Sequence, residues 1–124
     1  MSKEYSWKTG CDIEATLSVM GGRWKSVILC NLLSERQRFG ELCRKIPNAT
    51  QRMVTLQLRE LEADGVIKRH VFSEVPPRVE YELTEFGRSL EPVLAVMRDW
   101  GAKFKTVRIA EAQSHDLHQI KEGS

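Results

Sequence analysis

Long apolar segments, paired cysteines and a secretory leader are all missing from this sequence. No run of about 18 or more apolar residues is present, so we expect no segment to cross a membrane. The first ten residues contain no apolar stretch, which predicts that the protein stays in the cytoplasm. The three cysteines include no CxxC pair, which argues against a disulfide framework and against a zinc site.

Signals for a cofactor or a metal are equally sparse. The sequence has no glycine-rich phosphate loop, and its three histidines share no ligand spacing with the cysteines. His115 and His118 stand three residues apart, but no third ligand is near them in the sequence. We therefore expect no cofactor, no metal and no catalytic residues.

Positive charge is concentrated in the middle of the chain, although the net charge of the whole is only +2. Residues 36–79 carry nine basic and five acidic side chains, whereas residues 80–124 carry six and eight. A polyanion such as a nucleic acid would find its counter-charges in this middle segment.

The apolar pattern predicts one folded domain over residues 11–104, with a flexible arm at 1–10 and a weakly structured tail at 105–124. Asp12 is the expected N-cap of a first helix, which the glycine pair at 21–22 ends. A second helix, over residues 23–33, is apolar enough to predict burial on more than one side.

Two short helices joined by a turn are predicted next. Residues 39–46 form the third helix, and Thr50 caps a fourth at 51–64, which Gly65 ends. The residues expected on the inner face of the fourth helix are Val54, Leu58 and Leu61.

Two strands are predicted after Gly65, over residues 67–73 and 79–83, where apolar and charged residues alternate. The segment 74–78 between them contains two prolines and is therefore expected to be an exposed hairpin tip. Thr84 is predicted to cap one long helix with an apolar stripe that reaches Phe104.

This order of elements is that of a winged helix-turn-helix, a mainly α fold with a small β-hairpin, and the charge maximum lies on the same segment. In this motif the second helix of the pair enters the major groove of double-stranded DNA. Arginine suits the edge of guanine and glutamine that of adenine, while an apolar Leu56 opposite the core indicates a contact surface. The base-reading candidates are Gln51, Arg52, Thr55, Leu56 and Arg59.

Basic residues around the fourth helix are predicted to contact DNA phosphates. Arg78, at the expected hairpin tip, could enter a minor groove or contact a phosphate. The phosphate and wing candidates are Arg36, Arg38, Arg44, Lys45, Lys68, Arg69 and Arg78.

Apolar stripes near both ends of the chain predict a homodimer, because one small domain cannot cover them with its own core. The dimer candidates are Ile13, Leu17, Met20, Leu90, Val93, Leu94, Met97, Trp100 and Phe104.

The cysteines differ in their predicted surroundings. Cys11 directly precedes the first helix, where the helix dipole favours a thiolate, so it is the candidate redox sensor. Cys30 and Cys43 lie in apolar helices and are expected to be unreactive core thiols.

Two motifs stand out along the chain, GGRWK at residues 21–25 and PPRVEYELTEFG at residues 76–87. Together with CDIEATLSVMGGRWK and RFGELCRKIPNATQRMVTLQLRELEADGVIKR, they resemble the HxlR-type branch of winged helix-turn-helix regulators, which are relatives of the MarR group. The resemblance covers residues 11–100. It implies homodimers built by the first and last helices, a pseudo-palindromic operator, and regulation that often responds to a small molecule or an oxidant. Asp12 stands where the family usually has proline.

Two other functions are compatible with parts of the sequence. Cys11 could be the nucleophile of a thiol-dependent peroxidase or reductase, but no resolving cysteine stands at CxxC spacing. A winged helix can also bind protein instead of DNA. Such a module has no need of Arg52, Arg59 and Arg78 on one face, and salt would affect its binding little.

Overall fold

The computed structural model describes the backbone of residues 10–123 and the side chains of residues 10–116. All but the last residue of the expected N-terminal arm therefore lie outside the described part. The chain divides between Glu91 and Pro92 into two units. The first unit contains a three-stranded sheet with the helices that surround it, and the second consists of the last helix.

The first unit begins with helix α1 (Asp12–Met20). Cys11 is the N-cap of α1, so the prediction of Asp12 was wrong by one residue. Asp12 lies in the first helical turn, where its negative charge still favours the helix because that end of the helix dipole is positive. The helix ends at the predicted glycine pair, and Gly22 has a φ of 80°, a conformation that favours glycine.

Helix α2 (Lys25–Leu32) buries one side only. Ile28, Leu29 and Leu32 are buried, whereas Val27 and Cys30 are exposed. The predictions of burial on more than one side, and of a core thiol at residue 30, were therefore wrong. The apolar composition of a helix does not reveal whether neighbouring elements cover every face, and here they cover the face that repeats at 28, 29 and 32.

The predicted helix-turn-helix is formed by α3 (Phe39–Lys45) and α4 (Gln51–Ala63). The hydroxyl of Thr50 accepts a hydrogen bond from the backbone N–H of Met53 at 3.1 Å, which confirms the predicted cap. The predicted inner face is confirmed as well, since all three of its residues are buried. They are Val54, Leu58 and Leu61.

The sheet has three antiparallel strands, β1 (Gln37–Arg38), β2 (Ile67–Phe72) and β3 (Arg78–Leu83), in the order β1-β3-β2. The hairpin of β2 and β3, hereafter the wing, confirms the two predicted strands. Arg78 pairs with Phe72 and begins β3, so it belongs to the strand and not to the tip where it was expected. The strand β1 was not predicted, because two residues are too few to show an alternating pattern.

The core lies between α2, α4 and the sheet, and two polar side chains within it have partners. Lys25 is buried and its Nζ lies 2.8 Å from the carboxylate of Glu60, which joins α2 to α4. Gln37 is also buried; its amide nitrogen donates to the carbonyl of Asn31 at 3.0 Å and its amide oxygen accepts from Lys45 at 2.8 Å. Both residues therefore satisfy the requirement that buried polar groups be paired.

The predicted single helix from Thr84 is in fact two helices. Thr84 caps the short α5 (Glu85–Arg88), accepting from the N–H of Gly87 at 2.9 Å, and α6 (Glu91–Gly123) begins separately. Pro92 explains the break, because it has no N–H to donate to the carbonyl four residues earlier and its ring would clash there. The prediction of one continuous helix was therefore wrong.

Helix α6 is the second unit, and it continues to Gly123, past the point at which the fading apolar pattern predicted a weakly structured tail. None of the helices in the described part of the chain is both long and apolar enough to span a bilayer.

Candidate nucleic-acid interface

The outer face of α4 carries all the predicted base-reading side chains. Gln51, Arg52 and Arg59 are exposed, Leu56 is 48% exposed, and Thr55 is half-buried beside them. Because the apolar residues of the helix are held in the core, folding fixes which side of α4 faces outward. The structure thus brings the five candidates onto one surface, as their helical spacing predicted.

A groove of about 560 Å³ lies beside α4 and is bounded on its other side by the wing. Three arginines line it, Arg38, Arg69 and Arg78, each from a different strand, together with Thr55 of α4. Among the described residues, Glu74 is the one carboxylate in its lining. The groove is therefore net positive, which suits a polyanionic backbone running between the helix and the wing.

The predicted phosphate partners fall into two groups, and the first has no ion pair within the part of the chain that the structure describes. Within the described residues these side chains have no carboxylate within salt-bridge distance, although Lys45 is hydrogen-bonded to the Gln37 amide. Their charges are available to an external anion. They are Arg38, Arg44, Lys45 and Lys68.

Arg36 belongs to the second group, because its charge is already compensated. Its guanidinium contacts Glu82 through two nitrogens, with Nε at 3.0 Å, and reaches Glu80 at 3.4 Å. The hydrogen bond from Arg36 lowers the pKa of the Glu82 carboxyl, so this carboxylate stays ionised to lower pH than an ordinary glutamate. Arg36 therefore links the start of β1 to β3, and its charge is less available to a phosphate than the charges of the first group.

Arg78 and Arg69 also have acidic partners. Arg78 lies 3.2 Å from Glu74 and 3.3 Å from Glu80, and its guanidinium lies 4.2 Å above the ring of Phe72. These contacts hold the Arg78 side chain against neighbouring residues of the wing. Arg69 has a longer contact, 3.8 Å to Glu62, which is weak because both side chains are exposed. Sequence spacing could not separate Arg69 from the unpaired group, since its partner Glu62 lies on α4, whereas both partners of Arg78 are within four residues of it in the chain.

The three thiols differ in accessibility. Cys11 is exposed at the N-cap of α1, with its carbonyl accepting from the N–H of Ala15 at 3.0 Å. Cys30 is exposed too, whereas Cys43 is half-buried and burial raises the pKa of its thiol. An oxidant can therefore reach two thiols, of which the sequence had singled out one.

The dimer candidates near the N-terminus are Ile13, Leu17 and Met20. Ile13 is 70% exposed and Leu17 is exposed, but Met20 is only 1% exposed and belongs to the core. The assignment of Met20 to a dimer surface is therefore at odds with its burial.

The candidates in and before α6 are mostly exposed as well. Trp100 is 64% exposed and stacks on Phe104, with ring centroids 5.5 Å apart. Leu94, at 3% exposed, and the half-buried Leu90 have little surface to offer a partner. The α6 candidates that remain exposed are Val93, Met97, Trp100 and Phe104.

A metal site finds no support among the described residues, which contain no group of three histidine, cysteine or acidic side chains able to hold an ion. His118, half of the weak histidine pair, lies outside the described side chains.

Comparison with known proteins decides the family. Residues 19–108, most of the chain, match the model of the HxlR-like helix-turn-helix family. The chain belongs to the HxlR family. Its similarity to MarR-like winged-helix structures confirms the predicted fold class, and this HxlR protein is a transcriptional regulator of the helix-turn-helix type.

Two curated relatives from Bacillus subtilis are both named as uncharacterized HTH-type transcriptional regulators. YdeP is 57% identical over 96 residues, which cover 77% of this chain and 75% of YdeP. YtcD is 59% identical over 95 residues, with the same coverage. Neither name describes an enzyme, and the thiol-enzyme alternative gains no support from these relatives.

The solved structures that resemble this HxlR protein include the redox regulator HypR in two forms. The reduced form superimposes with a TM-score of 0.75 at 50% identity, covering 78% of this chain and 96% of HypR. The oxidised form gives a TM-score of 0.71 at 53% identity, covering 75% and 96%.

Proposed function

We propose that this HxlR protein acts in the cytoplasm as a homodimer that binds a specific, pseudo-palindromic site in double-stranded DNA and regulates transcription there. The observation that carries the proposal is the outer face of α4, where Arg52 and Arg59 are exposed and have no carboxylate partner in the described part of the chain. The positive groove beside it supplies the complementary surface for the DNA backbone.

The chemistry of the α4 face matches the edges of base pairs. A guanidinium can donate two hydrogen bonds to guanine, and the amide of Gln51 can pair in the same way with adenine. Arg38 lies in the groove instead, where a phosphate and not a base edge would meet it. We therefore propose that α4 recognises the sequence and that the residues around it supply affinity.

Arg52→Ala and Arg38→Ala test this division between base reading and phosphate binding. We expect Arg52→Ala to cost about 1 to 3 kcal/mol at the selected operator, to relax the preference at one base position, and to change binding to random DNA little. Arg38→Ala should weaken binding to both DNAs nearly alike and reduce the salt slope by about one, because one phosphate contact is lost. The measurement is a titration of labelled duplexes over a range of salt concentrations.

A matched control is Arg36→Ala, whose charge is already compensated by Glu80 and Glu82. It should change the salt slope less than Arg38→Ala does. If Arg52→Ala and Arg38→Ala lower the affinity for operator and random DNA in the same proportions, α4 does not read bases. Binding that is insensitive to salt in all variants would favour the protein-binding alternative.

We also propose that oxidation of Cys11 changes the affinity for the operator. Two observations support a thiol response. Cys11 is exposed at the start of α1. The redox regulator HypR, in its reduced form and in its oxidised form, has a structure similar to that of this chain. The exposed Cys30 offers a matched control, because it is also open to solvent but lies within α2.

Oxidant should therefore change operator affinity in the unaltered protein and in Cys30→Ser, but not in Cys11→Ser. The measurement is operator affinity before and after treatment with a thiol oxidant, followed by reduction to check reversibility. Loss of the response in Cys30→Ser alone would transfer the role to that cysteine. An unchanged affinity in the unaltered protein would remove redox sensing from the proposal.

A further inference from the structure

A shallow depression in the outer face of α4 surrounds Leu56. Its volume is about 420 Å³. Packing does not require Leu56 at this place, since the side chain stays 48% exposed while the opposite side of the helix closes the core. The residues that line the depression, hereafter the Leu56 depression, are Thr50, Arg52, Met53, Thr55, Leu56 and Arg59.

Most polar atoms of the Leu56 depression already have partners inside the protein. The hydroxyl of Thr55 donates to the carbonyl of Gln51 at 2.8 Å. The hydroxyl of Thr50 accepts from the N–H of Met53 at 3.1 Å, and the sulfur of Met53 accepts from the amide of Gln57 at 3.3 Å. Apart from these atoms, the depression offers a ligand an apolar surface and the two guanidinium groups beside it.

The arginines flank the apolar surface along the helix. Arg52 precedes Leu56 by four residues and Arg59 follows it by three, and both spacings place side chains on the same helical face. A ligand for this surface must therefore combine an apolar group with hydrogen-bond acceptors or negative charge on both sides. The major groove of duplex DNA meets this description, and its one apolar group is the C5 methyl of thymine.

We propose that the Leu56 depression receives the methyl group of a thymine in the operator, which makes Leu56 a specificity-determining residue. The inference rests on the proposed function, because it requires α4 to lie in the major groove. It adds a base identity read by an apolar contact, between the positions that the arginines on either side would read by hydrogen bonds.

Deoxyuridine provides the test, since it keeps the pairing and the hydrogen-bonding edge of thymine and lacks only the methyl group. The probe is the duplex that the purified protein selects from a random pool, with each thymine of one half-site replaced in turn. At one position we expect affinity to fall about fourfold, the effect of exposing one buried methyl group. Leu56→Ala should bind the thymine and deoxyuridine duplexes equally.

Val27→Ala is the matched control, because it also shortens an exposed apolar side chain, on α2. It should show the same loss with deoxyuridine as the unaltered protein. A scan of the unaltered protein that finds no sensitive thymine overturns the inference without any variant. Leu56→Ala itself should fold, because the side chain is 48% exposed and alanine is the better helix former.

If no deoxyuridine position weakens binding in a Leu56-dependent way, while the duplex is still bound with dependence on Arg52 and on salt, the inference is wrong and the proposed function stands. If the purified protein selects no duplex from the pool, the proposed function is wrong and the inference falls with it.

Discussion

Replacing Gly87 with alanine is expected to destabilise the first unit by about 3 kcal/mol, the upper range for forcing an extra group into a packed site. Gly87 is buried in α5, and a Cβ atom there would lie 1.9 Å from the backbone oxygen of Val66. That oxygen also accepts the N–H of Thr84 at 3.1 Å, so the segment before β2 cannot move away without losing a hydrogen bond. The free energy of unfolding, from urea titration at one fixed protein concentration, measures the effect.

Gly40→Ala is the control for Gly87→Ala. A Cβ at Gly40 in α3 would meet only the end of the Arg44 side chain, at 3.5 Å, and alanine is the better helix former. Its stability should be unchanged or slightly higher. A cost below about 1 kcal/mol for Gly87→Ala would show that the loop at Val66 relaxes readily, which would contradict the rigid contact described here.

Local signals in the sequence were enough to predict α4, the helix that the proposed function assigns to DNA. Thr50 caps α4, and the inner residues repeat at helical spacing, so the outward face with Arg52 and Leu56 followed directly. Both features depend on residues within one helix, and no contact with another element was needed to infer them. The winged fold also followed from the order of elements.

Features that depend on distant partners could not be predicted in the same way. Arg36 is a residue of the type that commonly binds phosphate, yet two glutamates of β3 neutralise its charge. Lys25 is buried with its ammonium paired to Glu60 of α4, and Cys30 is exposed although it lies in an apolar helix. In each case the sequence identifies the side chain but not the group that faces it, because tertiary structure determines which group that is.

The missed break before α6 is a different kind of error, because a signal for the break was present in the sequence. Pro92 lies where a continuous helix would need its N–H, and the apolar spacing that runs past it took precedence in the prediction.

Trp100→Asp is expected to convert the protein from a dimer to a monomer. Trp100 is 64% exposed and stacked on Phe104, so a large aromatic surface on α6 is open in the single chain. A carboxylate placed in a buried apolar interface without a partner is strongly unfavourable. Sedimentation at micromolar concentration should give a dimer for the unaltered protein and a monomer for the variant. A monomeric unaltered protein under these conditions would refute the proposed interface.

Loss of the dimer should also reduce operator affinity by about 100-fold or more, because the second half-site is then no longer bound within the same complex. A duplex with a single half-site separates this effect from misfolding, since Trp100→Asp should bind it as well as one subunit of the unaltered protein does.

Ala102→Asp is the matched control: Ala102 is exposed on α6, and residues two apart along a helix, such as 100 and 102, point to nearly opposite sides. Both variants introduce an aspartate, with the same charge and the same helix propensity, but the one at Ala102 lies away from the apolar stripe. Ala102→Asp should therefore leave both the dimer and the operator affinity intact. Equal losses in the two variants would mean that the added charge, and not the Trp100 surface, disrupts binding.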